Sequence, residues 1–119
     1  MARNNPITIY GIKNCDTMKR ARAWLDGQGI AYQFHDYKIE GIDRARLQAW
    51  ARAVGWEMLL NRYGTTFRKL PDQEKEGLGE GKAIALMLNQ PSMIKRPVLD
   101  FGGKLFVGFD PKAYAAALG

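Results

Sequence analysis

The sequence predicts an α/β fold with a four-stranded mixed sheet, and three observations carry that prediction. A β-branched and aromatic run at Ile7–Tyr10 is followed by a turn, an amphipathic stretch and a second extended run, the order of a β-α-β unit. Near the other end, Val98–Phe101 and Lys104–Val107 flank Gly102-Gly103, the two-residue link that type I′ or II′ hairpins require. Asp110-Pro111 then sets a capping carboxylate and a first-turn proline ahead of Tyr114 and an alanine-rich end, so the chain closes on a helix.

Taken in order, Ile7–Tyr10 reads as a buried strand ended by Gly11, with Ile12-Lys13-Asn14-Cys15 as the turn behind it. A helix is expected from Asp16, capped by Asp16 or Thr17. Met18, Ala21, Trp24 and Leu25 recur along it at helical spacing, and Gly27 and Gly29 close it. Ala31–Tyr37 alternates loosely, with Tyr32, Phe34 and Asp36 on one face, and suits a second strand parallel to the first. After Gly41, Asp43 caps a helix whose Leu47, Trp50, Ala51 and Val54 form the apolar stripe, and Gly55 ends it. Met58–Leu60 is expected to be a short helix, Asn61–Thr66 a polar loop, and Leu70-Pro71-Asp72 the start of another helical turn. A last helix of this middle region runs from Gly81 or Lys82 to Asn89, before Pro91 halts it. The order β-α-β, helices, β-β-α is that of a thioredoxin-like domain: one domain over residues 1–119, with a helical insertion at about 42–92 between its halves.

Composition narrows the function classes. A chain of 119 residues that is 46% hydrophobic can bury the core of one domain. Met1-Ala2-Arg3-Asn4-Asn5-Pro6 has no apolar run behind it, and no stretch approaches the roughly 18 apolar residues of a membrane span. A soluble, cytoplasmic, monomeric protein is expected. One cysteine cannot form an internal disulfide, which suits a reducing compartment. The net charge of +6 favours anionic partners such as an oxyanion, the carboxylates of a thiol peptide, or nucleic acid. The basic residues are scattered, as on a solvated surface. Metal chemistry is not expected because no ligand cluster is present, and Gly77-Leu78-Gly79-Glu80-Gly81 lacks the Lys-Ser/Thr ending of a phosphate loop.

The chemistry converges on Cys15. It follows a strand and precedes a helix, whose unpaired N–H groups would favour the thiolate, and Lys13 would add positive potential. Asn14 lies in the same turn, so Lys13 and Asn14 are candidate substrate-binding residues. Cys15-Asp16-Thr17-Met18 has Met where a Cys-x-x-Cys pair holds its resolving thiol. Any turnover must then pass through a mixed disulfide resolved by an outside thiol, glutathione being the evident candidate, with no bound cofactor. Arg96-Pro97, just before the hairpin, is the second constellation. A thioredoxin-like fold would set a cis-proline there opposite the cysteine, and Arg96 would bind an oxyanion or carboxylate. Arg62, in the irregular middle region, is a third ligand candidate beside its plainer reading as a solvated loop residue. His35 reads as structural.

Three blocks, Ile7–Thr17, Leu59–Leu70 and Ile94–Leu99, together resemble the ArsC/Spx family across nearly the whole chain, most closely its YffB-like branch. The resemblance implies a thioredoxin fold with an inserted helical region, a catalytic or redox-sensing Cys15, and Arg96 as the arginine of the family's Arg-Pro motif. Glutaredoxin-linked arsenate reductases of this family use three arginines. Arg96 matches one and Arg62 stands near a second, while Val107-Gly108-Phe109 occupies the region of the third. Spx-type regulators carry a Cys-x-x-Cys switch and bind RNA polymerase, and Met18 removes that switch. The expected function is therefore a glutathione-dependent thiol-disulfide reductase. The alternatives are a glutaredoxin-linked arsenate reductase and a polymerase-binding regulator.

Overall fold

The computed structural model describes residues 7–118; the opening Met1–Pro6 segment, read above for a leader, lies outside them. Along the chain run β1 (Ile7–Gly11), α1 (Asp16–Gly27), β2 (Gln33–Asp36), α2 (Tyr37–Glu40), α3 (Arg44–Val54), α4 (Trp56–Leu59), α5 (Thr65–Arg68), α6 (Asp72–Lys75), α7 (Glu80–Asn89), a 3₁₀ turn at Pro91–Met93, β3 (Val98–Phe101), β4 (Lys104–Val107) and α8 (Pro111–Leu118). They gather into two compact units: residues up to Asp36 together with Arg96 onward form the first, and Tyr37–Lys95 the second.

The first unit is built on a mixed sheet of order β2-β1-β3-β4. β1 is central, parallel to β2 and antiparallel to β3, and β3 pairs antiparallel with β4. This central strand is apolar on both faces, with Ile7, Ile9 and Tyr10 all buried. One core joins it to α1 through Met18, Ala21 and Leu25, to β3 through Leu99, and to α8 through Tyr114 and Leu118. Tyr114 holds the aromatic centre of that core, edge-on to Trp24, Phe106 and Phe109 with centroids 5.7, 6.1 and 5.1 Å away. Burial raises its hydroxyl pKa, and the hydroxyl donates to the Gly108 carbonyl.

The hairpin forms as its sequence dictates. Phe101 pairs with Lys104, Gly102 and Gly103 take φ of 58° and 94° as a type I′ turn demands, and the Asp100 carboxylate accepts the Gly103 N–H. Asp110 likewise accepts the Lys112 N–H at the start of α8. The second strand is shorter than Ala31–Tyr37. Its ladder runs only from Thr8 opposite Gln33 to Gly11 opposite Asp36, because β1 offers no partner beyond Gly11, and Tyr37 turns directly into α2. Tyr32 and Phe34 still pack on the core. Arg22 lies 4.3 Å over the Phe34 ring and its Nε donates to the Tyr32 hydroxyl.

The second unit is helical. α3 buries Leu47, Trp50 and Ala51, α4 buries Leu59, and α7 buries Ala83, Ile84 and Met87. A bridge between Leu60 and Ile94 ties the segment after α4 to the segment after the 3₁₀ turn. Helix α5 begins at Thr65, inside the stretch read as a polar loop, and α7 begins at Glu80, slightly earlier than expected. Single turns of four residues leave no periodicity for a sequence to reveal.

Asp43 is the clearest local determinant of the second unit, since its Oδ1 accepts the Arg46 N–H at 2.8 Å and satisfies a first-turn donor of α3. Asp43→Ala is expected to cost about 1 kcal/mol of stability. Urea unfolding of the variant beside the parent chain measures it, and an unchanged midpoint refutes the capping assignment.

Candidate active site

The four residues between β1 and α1 bring Cys15 to the start of the helix. Its backbone is extended, with φ −112° and ψ 129°, so Cys15 itself is the capping residue. The expectation that Asp16 or Thr17 caps α1 is corrected here. Both already lie inside the helix, because the chain adopts helical geometry directly after the cysteine. The consequence is chemical: the sulfur now sits where a capping oxygen usually does, facing the N–H groups of the first turn. A neutral thiol is a weak acceptor and makes no full cap hydrogen bond. The thiolate is the form those donors favour.

Partial burial pushes the Cys15 thiol up. It is outweighed by the Met18 N–H, by the Arg96 guanidinium through both a hydrogen bond and its charge, and by the Thr17 N–H, which together leave the thiol below its ordinary 9.0. Cys15 is half-buried, so the sulfur is reachable while its stabilising groups are held on the protein side.

Arg96 reaches the sulfur from the segment leading into β3, and Arg96-Pro97 is a cis peptide bond. Pro97 is buried, and its carbonyl accepts the Gly108 N–H at 2.8 Å, which ties this segment to the end of β4. Gly108 has a φ of 85°, a conformation glycine tolerates. Phe109 packs against Tyr114. The Val107-Gly108-Phe109 stretch therefore braces the proline and the core.

Of the residues selected from sequence, Cys15 and Arg96 are brought together, with Pro97 adjacent to Arg96 in the chain. Lys13 and Asn14 are exposed in the turn before Cys15, and the groups that lower the thiol are the two amides and Arg96, not Lys13. Arg62 belongs to the second unit, where it is exposed with its guanidinium 6.0 Å over the Trp56 ring. His35 packs its ring against Tyr10, its partner across the β1–β2 ladder, at 4.8 Å. Sequence reasoning set the first-turn N–H groups beside the sulfur without naming them; they are those of Met18 and Thr17. The signal for them is the extended residue directly before a helix, which fixes which N–H groups the sulfur meets. Met18, at the position of a resolving cysteine, is fully buried. Among the described residues no cluster of three or more His, Cys, Asp or Glu could hold a metal ion, and no helix is long and apolar enough to cross a membrane.

Residues 10–117 match the sequence model of the ArsC family. A solved structure named YFFB protein is 62% identical, covers 95% of this chain and 99% of its own, and superposes with a TM-score of 0.93. A solution structure of an arsenate reductase (ArsC) related protein from Brucella melitensis is 56% identical over 98% and 97% of the two chains, with a TM-score of 0.79. The global transcriptional regulator Spx of Streptococcus mutans is 25% identical over 94% of this chain and 82% of its own.

Alkylation of Cys15 as a function of pH is expected to show a midpoint below 9.0, and Arg96→Gln is expected to move it upward by removing the charge beside the sulfur. Because the folded value is the lower one, the ionised thiol contributes stability that is present above the unfolded thiol's range. That contribution disappears as pH falls through the folded value. Cys15→Ser should flatten this dependence in unfolding curves taken across the same pH range. Equal midpoints for the parent and Arg96→Gln refute the electrostatic role of Arg96.

Proposed function

Because the chain belongs to the ArsC family, we propose that it is a glutathione-dependent thiol-disulfide reductase whose single nucleophile is Cys15. The observation that carries this reading is a lone thiol held below its ordinary range by the amides of Met18 and Thr17 and by Arg96, in a chain with no second cysteine. The thiolate attacks a mixed disulfide between a substrate thiol and glutathione. A new sulfur–sulfur bond forms from Cys15 to the glutathione sulfur, and the substrate leaves as its thiolate. A second glutathione thiolate then attacks the glutathione sulfur now bound to Cys15, releasing oxidised glutathione and restoring the Cys15 thiolate. One free glutathione thiol is consumed and leaves joined to the glutathione of the mixed disulfide as oxidised glutathione, the substrate thiol is released reduced, and no bound cofactor is needed.

Arg96 has two tasks in this scheme. It favours the attacking thiolate in the free protein, and it offers a planar donor to a glutathione carboxylate. Pro97 sets the extended backbone that faces the incoming peptide, and Lys13 and Asn14, exposed beside the sulfur, are the further contacts for its polar groups. The exchange suits a reducing, cytoplasmic setting in which glutathione is abundant. A monomer suffices, since every residue of the exchange lies in one chain.

The Brucella melitensis relative supports a second reading, arsenate reduction, in which Cys15 attacks arsenic and a glutathione–glutaredoxin system resolves the product. The Streptococcus mutans relative supports a third, a regulator that docks on RNA polymerase without turning over. Oxidised glutathione, with mass spectrometry as the readout, separates these. The proposal expects one glutathione adduct, absent in Cys15→Ser, that free glutathione removes, and catalysed reduction of a glutathionylated thiol at least tenfold slower in Arg96→Gln. Adduct formation without reduction of any disulfide substrate, alongside arsenate-dependent oxidation of glutathione, moves the assignment to arsenate. Full biological activity of Cys15→Ser overturns the thiol mechanism.

A further inference from the structure

We propose that Gly11 is a positioning residue for Cys15, acting through Met18, whose thioether is seated on the Gly11 backbone and so holds the first turn of α1 against the sulfur. The inference rests on the reading of Cys15 as a reactive thiolate and goes beyond it, because neither Gly11 nor Met18 presents a side-chain group to a substrate.

Gly11 closes β1, in register with Asp36, and its φ is not positive, so backbone freedom is not what requires glycine here. Space is. A Cβ added at Gly11 would lie 2.3 Å from Met18 Sδ, 2.9 Å from Cε and 3.1 Å from Cγ, so the whole end of the methionine occupies the volume of the missing side chain. Met18 is fully buried in the core shared by β1 and α1, which leaves it little room to retreat. The contact joins the last residue of the strand to the third residue of the helix and spans the turn that carries Cys15 between them.

The same residue whose side chain fills the Gly11 notch donates its N–H toward the Cys15 sulfur. A backward shift of Met18 carries that donor away, together with Thr17 beside it, and donation to sulfur weakens steeply with distance and angle. A methionine at position 18 thus has two roles that depend on each other. It excludes a second thiol from the Cys-x-x-x position, and its seat on Gly11 sets the height of the helix under the first one.

The test is the pH profile of iodoacetamide alkylation on the full chain, with near-ultraviolet circular dichroism to confirm folding. Gly11→Ala pushes Met18 out of the notch directly. Met18→Leu keeps nearly the same volume, but its branch falls where the methionine passes closest to Gly11. The proposal expects both variants to raise the alkylation midpoint by half a pH unit or more, which makes alkylation about threefold slower well below it. Asp43→Ala, a destabilising change in the other unit, is expected to leave the midpoint where it is. Either folded notch variant with the parent's midpoint overturns the proposal, and Met18→Leu decides alone if Gly11→Ala does not fold. A parent midpoint at the ordinary thiol value overturns the reactive-thiol reading and this inference together, whereas a lowered parent midpoint unmoved by both variants overturns only the positioning role.

Discussion

The junction of β1 with α1 is the constraint on which the rest of the site depends. A central strand apolar on both faces fixes where the chain emerges from the sheet, and a four-residue turn then leaves one extended residue before the helix begins. That residue is Cys15. Had the helix begun one residue earlier, the sulfur would lie on the helix wall and the Met18 N–H would be spent on the Asn14 carbonyl. At the cap, the amides of Thr17 and Met18 have no intrahelical partner, and the thiolate supplies one. Activation of the thiol and satisfaction of the helix end are the same interaction.

Arg96 enters this arrangement from the far end of the sequence because β3 lies beside β1 in the sheet. The strand order is what converts a separation of some eighty residues into a contact, and the segment is held from its other side by the Gly108 N–H on the Pro97 carbonyl. The hairpin therefore contributes to the site without placing a side chain in it. Gly102 and Gly103 set the register of β4 against β3, and that register brings Gly108 opposite Pro97. A guanidinium held this way adds a full charge where the helix adds only partial ones, against a burial cost that alone would have raised the thiol.

Much of this was legible in the sequence because it is written in local chemistry. The Gly-Gly link, the Asp110-Pro111 start and the Asp43 cap each require particular residue types within four positions, and each forms as read. The features that escaped reading are set by partners distant in sequence. β2 stops at Asp36 because β1 ends opposite it, although the alternating pattern continues to Tyr37. The capping preference for Asp or Thr pointed one or two residues too far, since nothing in the sequence says that a cysteine takes the extended position. Lys13, adjacent in sequence and of the right charge, is exposed and leaves the electrostatic work to Arg96. The short helices from Trp56 to Lys75 have too few residues for any periodic signal, so their bounds cannot be read from the sequence.

The absence of a second thiol has a structural counterpart that sharpens its meaning. In a dithiol motif the residue three positions after the nucleophile carries the thiol that attacks the mixed disulfide, so its sulfur has to face the first one. Here that residue is a methionine with no exposed surface, its thioether filling the space above a glycine. The site is thus organised around one sulfur: the space that a resolving thiol would need has been used to fix the helix that supports the first. A mixed disulfide formed on Cys15 can be opened only from the solvent side, by a thiol the protein does not carry. In the proposed exchange, the identity of that external thiol belongs to the chemistry as much as Cys15 does.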